Sequence, residues 1–115
     1  MSNYIEERPW GKFEVLIDSD HCKVKQITVN PGQKLSYQYH YKRSEVWTVV
    51  EGTLTIVLDG EKTYRGYGQS IRIPLEAKHR AWNETNKVVK FIEVQTGTYF
   101  GEDDIIRIED DYNRK

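Results

Sequence analysis

Turn signals punctuate this chain at short intervals, and they constrain its fold more than any other feature. Asn30-Pro31-Gly32, Glu51-Gly52, Asp59-Gly60, Gly66-Tyr67-Gly68 and Asn83-Glu84-Thr85-Asn86 recur at a spacing that suits short antiparallel strands. The segments between them, EVLI at 14–17, VKQITV at 24–29, VWTVVEG at 46–52, TLTIVL at 53–58, SIRIP at 70–74 and VVKFIEVQ at 88–95, are rich in β-branched and aromatic residues with partial alternation. Asp59-Gly60, between TLTIVL and KTYR, predicts a hairpin. No segment before residue 97 carries helical periodicity. Many short strands joined by Gly and Pro turns predict an all-β sandwich or barrel, and a jelly roll closes such a sheet without bare edges. A length of 115 residues suits one domain over 1–115. RPWGKF at 8–13 reads as an N-terminal arm, and GEDDIIRIEDDYNRK at 101–115 as a short acidic tail, helical near its end and mostly a solvated surface.

Charge and cysteine usage narrow the partners. With 17 basic and 18 acidic residues the formal net charge is -1, so no long-range field draws the chain to nucleic acid or an anionic membrane. Cys22 is the only cysteine, which excludes an internal disulfide framework and a CxxC site and fits a reducing, cytoplasmic setting. MSNYIEERPW is polar where a signal peptide would be apolar, and no long uncharged run could span a bilayer; the expectation is a chain neither exported nor anchored.

The stretch QYHYKRSEVW, from Gln38 to Trp47, raises a chemical question. Alternation along a strand puts Gln38 and His40 on one face, with Ser36 and Lys34 behind them. The turn YKRS then reverses the chain, and Glu45 begins the next strand, where it could face the same cavity; Trp47, core filler or pocket wall, follows it inward. His79, in IPLEAKHRAWN, could add a third ligand. Two imidazoles and a carboxylate with open positions suit a divalent ion such as Fe, Mn, Zn, Co or Ni. The plainer alternative is a set of hydrogen-bonded residues near strand ends, and these residues alone leave both open. Tyr37 and Tyr39 alternate against Gln38 and His40, which predicts two exposed tyrosines on an outer face. Glu93 and Gln95 share one face of FIEVQ and Ile92 and Val94 the other, and either face could be interior. His21, in DSDHC, has no ligand neighbours at useful spacing and reads as exposed.

The residues also carry a resemblance. Gly32, Gln38, His40, Glu45 and Gly52 fit the first cupin motif, G-x5-H-x-H-x4-E-x6-G, with Gln38 in the first histidine position; Gly68, Pro74, His79 and Asn83 fit the second, G-x5-P-x-G-x2-H-x3-N, with Glu76 in place of its glycine. More narrowly, RPWGKFEVL, VKQITVNPGQKLSYQYHYKRSEVWTVVEGT, IRIPLEAKHRAWN and IEVQTGTYFGEDDIIRIEDDYNR resemble the type II mannose-6-phosphate isomerase cupin, found also as the C-terminal domain of bifunctional enzymes with mannose-1-phosphate guanylyltransferase activity. The resemblance covers essentially the whole chain. It implies a double-stranded β-helix jelly roll, interconversion of mannose 6-phosphate and fructose 6-phosphate, a divalent metal held by His40, Glu45 and His79 with Gln38 as a neutral fourth contact, and a homodimer formed through the tyrosine-bearing sheet and the RPWG arm. Arg43 is the first choice for phosphate or enediolate because it matches the RSE element, with Lys34, Lys42, Lys78 and Arg107 behind it and Lys42 and Lys78 reading as surface charges. If the polar face of FIEVQ lines the cavity, Glu93 is available as the base and Gln95 as a substrate contact. There is no room for a nucleotidyltransferase domain and no Gly-rich nucleotide loop, so GDP-mannose synthesis by this chain alone is not expected. The family usually places histidines where this chain has Tyr41, Lys42 and Val46, which keeps a non-catalytic cupin binding a sugar phosphate or nucleotide sugar in view. An iron-dependent oxygenase shares only the ligand set.

Overall fold

The computed structural model describes residues 3–110. The strands are β1 (Tyr4–Arg8), β2 (Gly11–Asp18), β3 (Cys22–Val29), β4 (Tyr37–Tyr39), β5 (Arg43–Glu51), β6 (Leu54–Leu58), β7 (Glu61–Arg65), β8 (Ser70–Ile73), β9 (His79–Trp82), β10 (Val89–Gly97) and β11 (Ile106–Glu109), with one 3₁₀ turn at Glu102–Asp104. They form two antiparallel sheets, ordered β1-β2-β3-β10-β5-β8 and β11-β4-β9-β6-β7. The architecture is the expected all-β jelly roll, built as a sandwich of two sheets rather than a closed ring. Asp59 and Gly60, with φ of 47° and 83°, close the β6–β7 hairpin as that dipeptide predicts.

What positions the site is a change of character along the inward faces. On β10 the buried residues run Val89, Phe91, Glu93, Gln95; on β5 they run Val49, Trp47, Glu45, Arg43; on β3, Val29, Ile27, Lys25. Register aligns these changes, because Ile27 and Val49 flank Phe91, Lys25 and Trp47 flank Glu93, and Glu45 sits beside Gln95. One end of the sandwich is therefore an apolar core of Val29, Val49, Leu54, Ile56, Val89 and Phe91, each no more than 1% exposed, and the other end is lined with charge. Burying Phe91 and its neighbours supplies the stability on the order of 25 cal/mol per Å² that allows the polar end to exist.

Three expectations need correction. The stretch at 101–110 is not a solvated tail: β11 adds to the second sheet beside β4, and Asp104 is buried. Its expected helical end lies at 111–115, outside the described residues. Tyr37 and Tyr39 are half-buried rather than exposed, because β11 covers the flank of β4 and the Tyr37 hydroxyl accepts the Gly60 N–H at 3.0 Å. Finally, the turn after His40 is Tyr41-Lys42 alone; Arg43 already belongs to β5, and the chain crosses there from one sheet to the other. Asp104 holds this crossing, its carboxylate accepting the N–H groups of Tyr41 and Lys42 at 3.2 and 3.0 Å. Gly97, opposite Arg43, has φ of 151°, and a Cβ there would lie 2.2 Å from the Lys42 carbonyl oxygen. Only glycine lets β10 approach the crossing so closely.

Candidate metal centre

His40 follows β4 directly, Glu45 is the third residue of β5, and His79 opens β9. Tertiary packing brings them together: His40 Nε2 lies 3.2 Å from Glu45 Oε2 and His79 Nε2 lies 3.8 Å from Glu45 Oε1. A ligand atom from each falls within 4.8 Å of the others, and all three residues are buried. Gln38 pairs with His79 across β4 and β9 and lines the adjoining pocket, with its Oε1 accepting the Ser36 hydroxyl at 2.6 Å.

Backbone carbonyls set both imidazoles. His40 Nδ1 donates to the Asp104 carbonyl at 3.1 Å, and His79 Nδ1 donates to the Ala77 carbonyl at 2.9 Å. A carbonyl only accepts, so Nδ1 carries a proton in each ring and Nε2 is the nitrogen turned to the centre. His79 Nε2 is buried and has no hydrogen-bond partner among the described residues. Such an orphan is costly in a protein interior unless an ion or water satisfies it. Burial also holds His79 below the usual imidazole value, which keeps that nitrogen free of a proton. Burial opposes the charge on Glu45, yet His40, His79 and Arg43 together hold its carboxyl well below the usual carboxylate range. Two imidazole Nε2 atoms and one carboxylate, oriented by the hydrogen bonds behind them, are a donor set that fits a divalent ion.

Around this triad stands a second layer of polar groups. Trp47 donates Nε1–H to Glu45 Oε1 at 2.9 Å, so it both fills the core and holds the carboxylate. Arg43 is buried at the start of β5 and is no loop residue: Nε donates to Glu45 Oε2 at 3.0 Å, Nη1 to Glu102 Oε2 at 3.4 Å, and Nη2 lies 3.4 Å from His40 Nε2. The polar face of β10 is the interior one. Glu93 accepts the Gln95 amide at 2.8 Å, and burial, reinforced by neighbouring Glu45 and opposed by Lys25, pushes its carboxyl up to about 8. Glu93, Lys25, Gln38, Arg43, Glu102 and Arg107 face a common pocket with a cavity of about 50 Å³. Gln95 is fully buried behind Glu93 and does not line it. Nor is Lys34 brought there: its ammonium sits 4.7 Å over the Trp82 ring. Lys42, Lys78 and His21 are exposed, as read from the sequence.

The mannose-6-phosphate isomerase C-terminal family model matches residues 3–110. The chain belongs to that family. Among relatives of this isomerase C-terminal family, it is 44% identical over 107 residues to the mannose-1-phosphate guanylyltransferase ManC of Salmonella typhimurium and 43% identical over 107 residues to the alginate biosynthesis protein AlgA of Pseudomonas aeruginosa. Each match takes in 93% of this chain and 22% of the relative, so the chain spans under a quarter of the length of these relatives. The capsular polysaccharide assembling protein CapF of Staphylococcus aureus superposes with a TM-score of 0.80 at 19% identity, over 95% of this chain and 33% of that one. An RmlC-like cupin of Shewanella frigidimarina gives 0.74 at 24% identity, over 88% and 87%. These two establish the cupin fold alone.

For a member of the isomerase C-terminal family, the departures fall in telling places. Tyr41 and Lys42 are exposed, and Val46 is half-buried between the inward residues Glu45 and Trp47. None of the three lies on the inward face that carries the triad. Glu76, where the motif has glycine, adopts φ of 62°, the left-handed backbone that glycine accommodates at no cost. The motif residue Asn83 ties a loop, donating to the carbonyls of Val29 and Lys87 at 2.9 and 2.6 Å. Sequence reasoning missed Lys25, Glu102 and Asp104. Lys25 had a signal, since it shares the inward face of VKQITV with Ile27 and Val29, where a charge needs a reason.

Proposed function

We propose that this domain interconverts mannose 6-phosphate and fructose 6-phosphate, with Glu93 moving the proton, Gln95 orienting it, and Arg43, Lys25 and Arg107 answering the substrate's negative charge. A divalent ion held by His40, Glu45 and His79, with Gln38 as a fourth contact, would stabilise as a Lewis acid the oxyanions that form at C1 and C2. The supporting observation is geometric: a buried carboxyl that is not part of the triad faces the same pocket as a basic rim. Aldose-ketose isomerisation takes a proton from C2 and returns it to C1 of an enediol, or the reverse. Glu93 can take that proton and hand it back, because its surroundings hold the carboxyl near neutrality rather than fully ionised. The Gln95 amide fixes which oxygen faces the pocket. Arg43 carries a fixed charge and a planar fork, so it can meet the substrate's phosphate while staying anchored to Glu45.

Turnover of mannose 6-phosphate with added divalent metals tests this reading. Activity is expected with at least one metal, and Arg43→Lys should lower it tenfold or more, about 1.4 kcal/mol of transition-state stabilisation, because a single ammonium cannot hold Glu45 and the substrate at once. Lys42→Ala, at an exposed position stacked 5.1 Å from the Tyr99 ring, serves as the control and should change little. A second reading is a cupin that binds the sugar phosphate without converting it. It is favoured by Arg43 Nη2, which sits 3.4 Å from the same His40 Nε2 that a metal would use. Binding of mannose 6-phosphate without turnover under every metal would select it.

The same reading puts the protein in the cytoplasm as a homodimer. Its expected tyrosine-faced interface lacks the exposed tyrosines, so the edge strand β1 is the better seam, with Tyr4 and Ile5 59% and 52% exposed. Sedimentation should give a dimer that Ile5→Lys dissociates; a monomer at all concentrations would remove it.

A further inference from the structure

Lys25 and Arg43 come from different strands and converge on one oxygen atom. Lys25 Nζ and Arg43 Nη1 each lie 3.4 Å from Glu102 Oε2. Both cationic side chains are buried, at 5% and 3% exposure, whereas the Glu102 side chain is 39% exposed. Two desolvated cations aimed at one point form an anion site, and here a carboxylate from the chain's own 3₁₀ turn fills it. The cavity behind Glu102, about 50 Å³, has room for a few waters. Ligand pockets typically run to about 300–1,000 Å³, so a hexose phosphate needs this end of the sandwich to open.

We propose that Glu102 is an internal competitor for the anionic group of the ligand, and that the Lys25–Arg43 pair is a phosphate subsite which Glu102 vacates when a phosphorylated ligand enters. The inference deepens the sugar-phosphate reading of the same pocket. Electrostatics favours the exchange, since a phosphate ester brings roughly -1.5 to -2 charges against the single charge of a carboxylate. Glu102 gives up its pairs with Lys25 and Arg43, which against partial burial hold its carboxyl below the usual carboxylate range, but its part-exposed side chain can swing into water and keep its charge solvated. The exchange would also be felt at the triad. Two residues along the same turn, the Asp104 carbonyl fixes His40 Nδ1 and its carboxylate holds the Tyr41-Lys42 crossing. A ligand that moves Glu102 thus pulls on the segment that orients one imidazole, and the empty site keeps its cations neutralised until the right anion arrives.

The test is calorimetric titration of the full chain, metal-free and metal-loaded, with inorganic phosphate, mannose 6-phosphate and unphosphorylated mannose. Glu102→Gln keeps the shape and removes the competing charge, so phosphate and mannose 6-phosphate should bind on the order of five- to tenfold more tightly than to the unaltered chain, while mannose is unchanged. Adding Lys25→Met to that variant should abolish the gain. Glu102→Asp, which shortens the reach, should lie between and guards against a local effect of the amide. Equal or weaker phosphate binding by Glu102→Gln overturns the proposal, as does a gain that survives Lys25→Met or that extends to mannose. A gain seen only with metal would assign the phosphate to the ion and equally overturn it. Because binding is read rather than turnover, a chain that isomerises nothing can still support the subsite, and an active isomerase can still refute it.

Discussion

Replacing His79 with alanine should leave a folded sandwich that no longer retains a divalent ion. His79 spends its Nδ1 on the Ala77 carbonyl and presents an unpartnered Nε2 to Glu45, so the metal loses a ligand while the fold loses one backbone-directed hydrogen bond and an edge contact with Trp47 at 5.6 Å. The apolar end of the sandwich, carried by Leu54, Ile56, Val89 and Phe91, is untouched. An ion that binds only the native state stabilises it by about 2.7 kcal/mol at a hundredfold excess over Kd. Added metal should therefore raise the melting temperature of the unaltered chain and leave that of His79→Ala where it was, with elemental analysis falling from one ion per chain to none. Stoichiometric metal in His79→Ala would sink the assignment of the triad.

The other large effect is expected from Glu93→Gln. The amide matches the carboxyl in shape, and at neutral pH it also matches the protonated state, because burial and Glu45 push that carboxyl up to about 8. Folding and metal content should hardly change. Proton transfer should fail, with turnover of mannose 6-phosphate falling by a factor on the order of 10² to 10⁴, the usual share of a general acid-base. Exchange of the C2 hydrogen with deuterated solvent should be lost in step, since no group remains to take that proton. Exchange that persists within a few-fold of the unaltered chain would move the base elsewhere in the pocket, and the arrangement of Glu93 and Gln95 would then be structural.

Much of this protein is legible along the chain. Strand identity follows from β-branched residues between turn signals, and Asp59-Gly60 announces its hairpin because the dipeptide tolerates the backbone that a two-residue loop demands. The spacing of His40, Glu45 and His79 within motifs is likewise a local property that can be read without coordinates. What the local pattern could not decide was which face of FIEVQ turns inward: alternation sets which residues share a face, and only the opposing sheet decides which face is buried. The structure buries Phe91, Glu93 and Gln95, so a polar pair joins the interior at the end where β3 and β5 also turn polar. The role of residues 101–110 was hidden for a related reason. An acidic stretch reads as solvated until something shows that its carboxylates have partners, and those partners, the crossing at Tyr41-Lys42 and the cations Lys25 and Arg43, are some sixty or more residues away along the chain. Sequence by itself determined the apolar central strands, the β6–β7 hairpin and the ligand types, because these depend on neighbours within a few residues; β1, β9 and β11 are strands only through the sheets they join. Tertiary structure decided the tautomers of the imidazoles, the burial of Glu93 and the convergence of two cations on Glu102, because each depends on groups that only packing brings together.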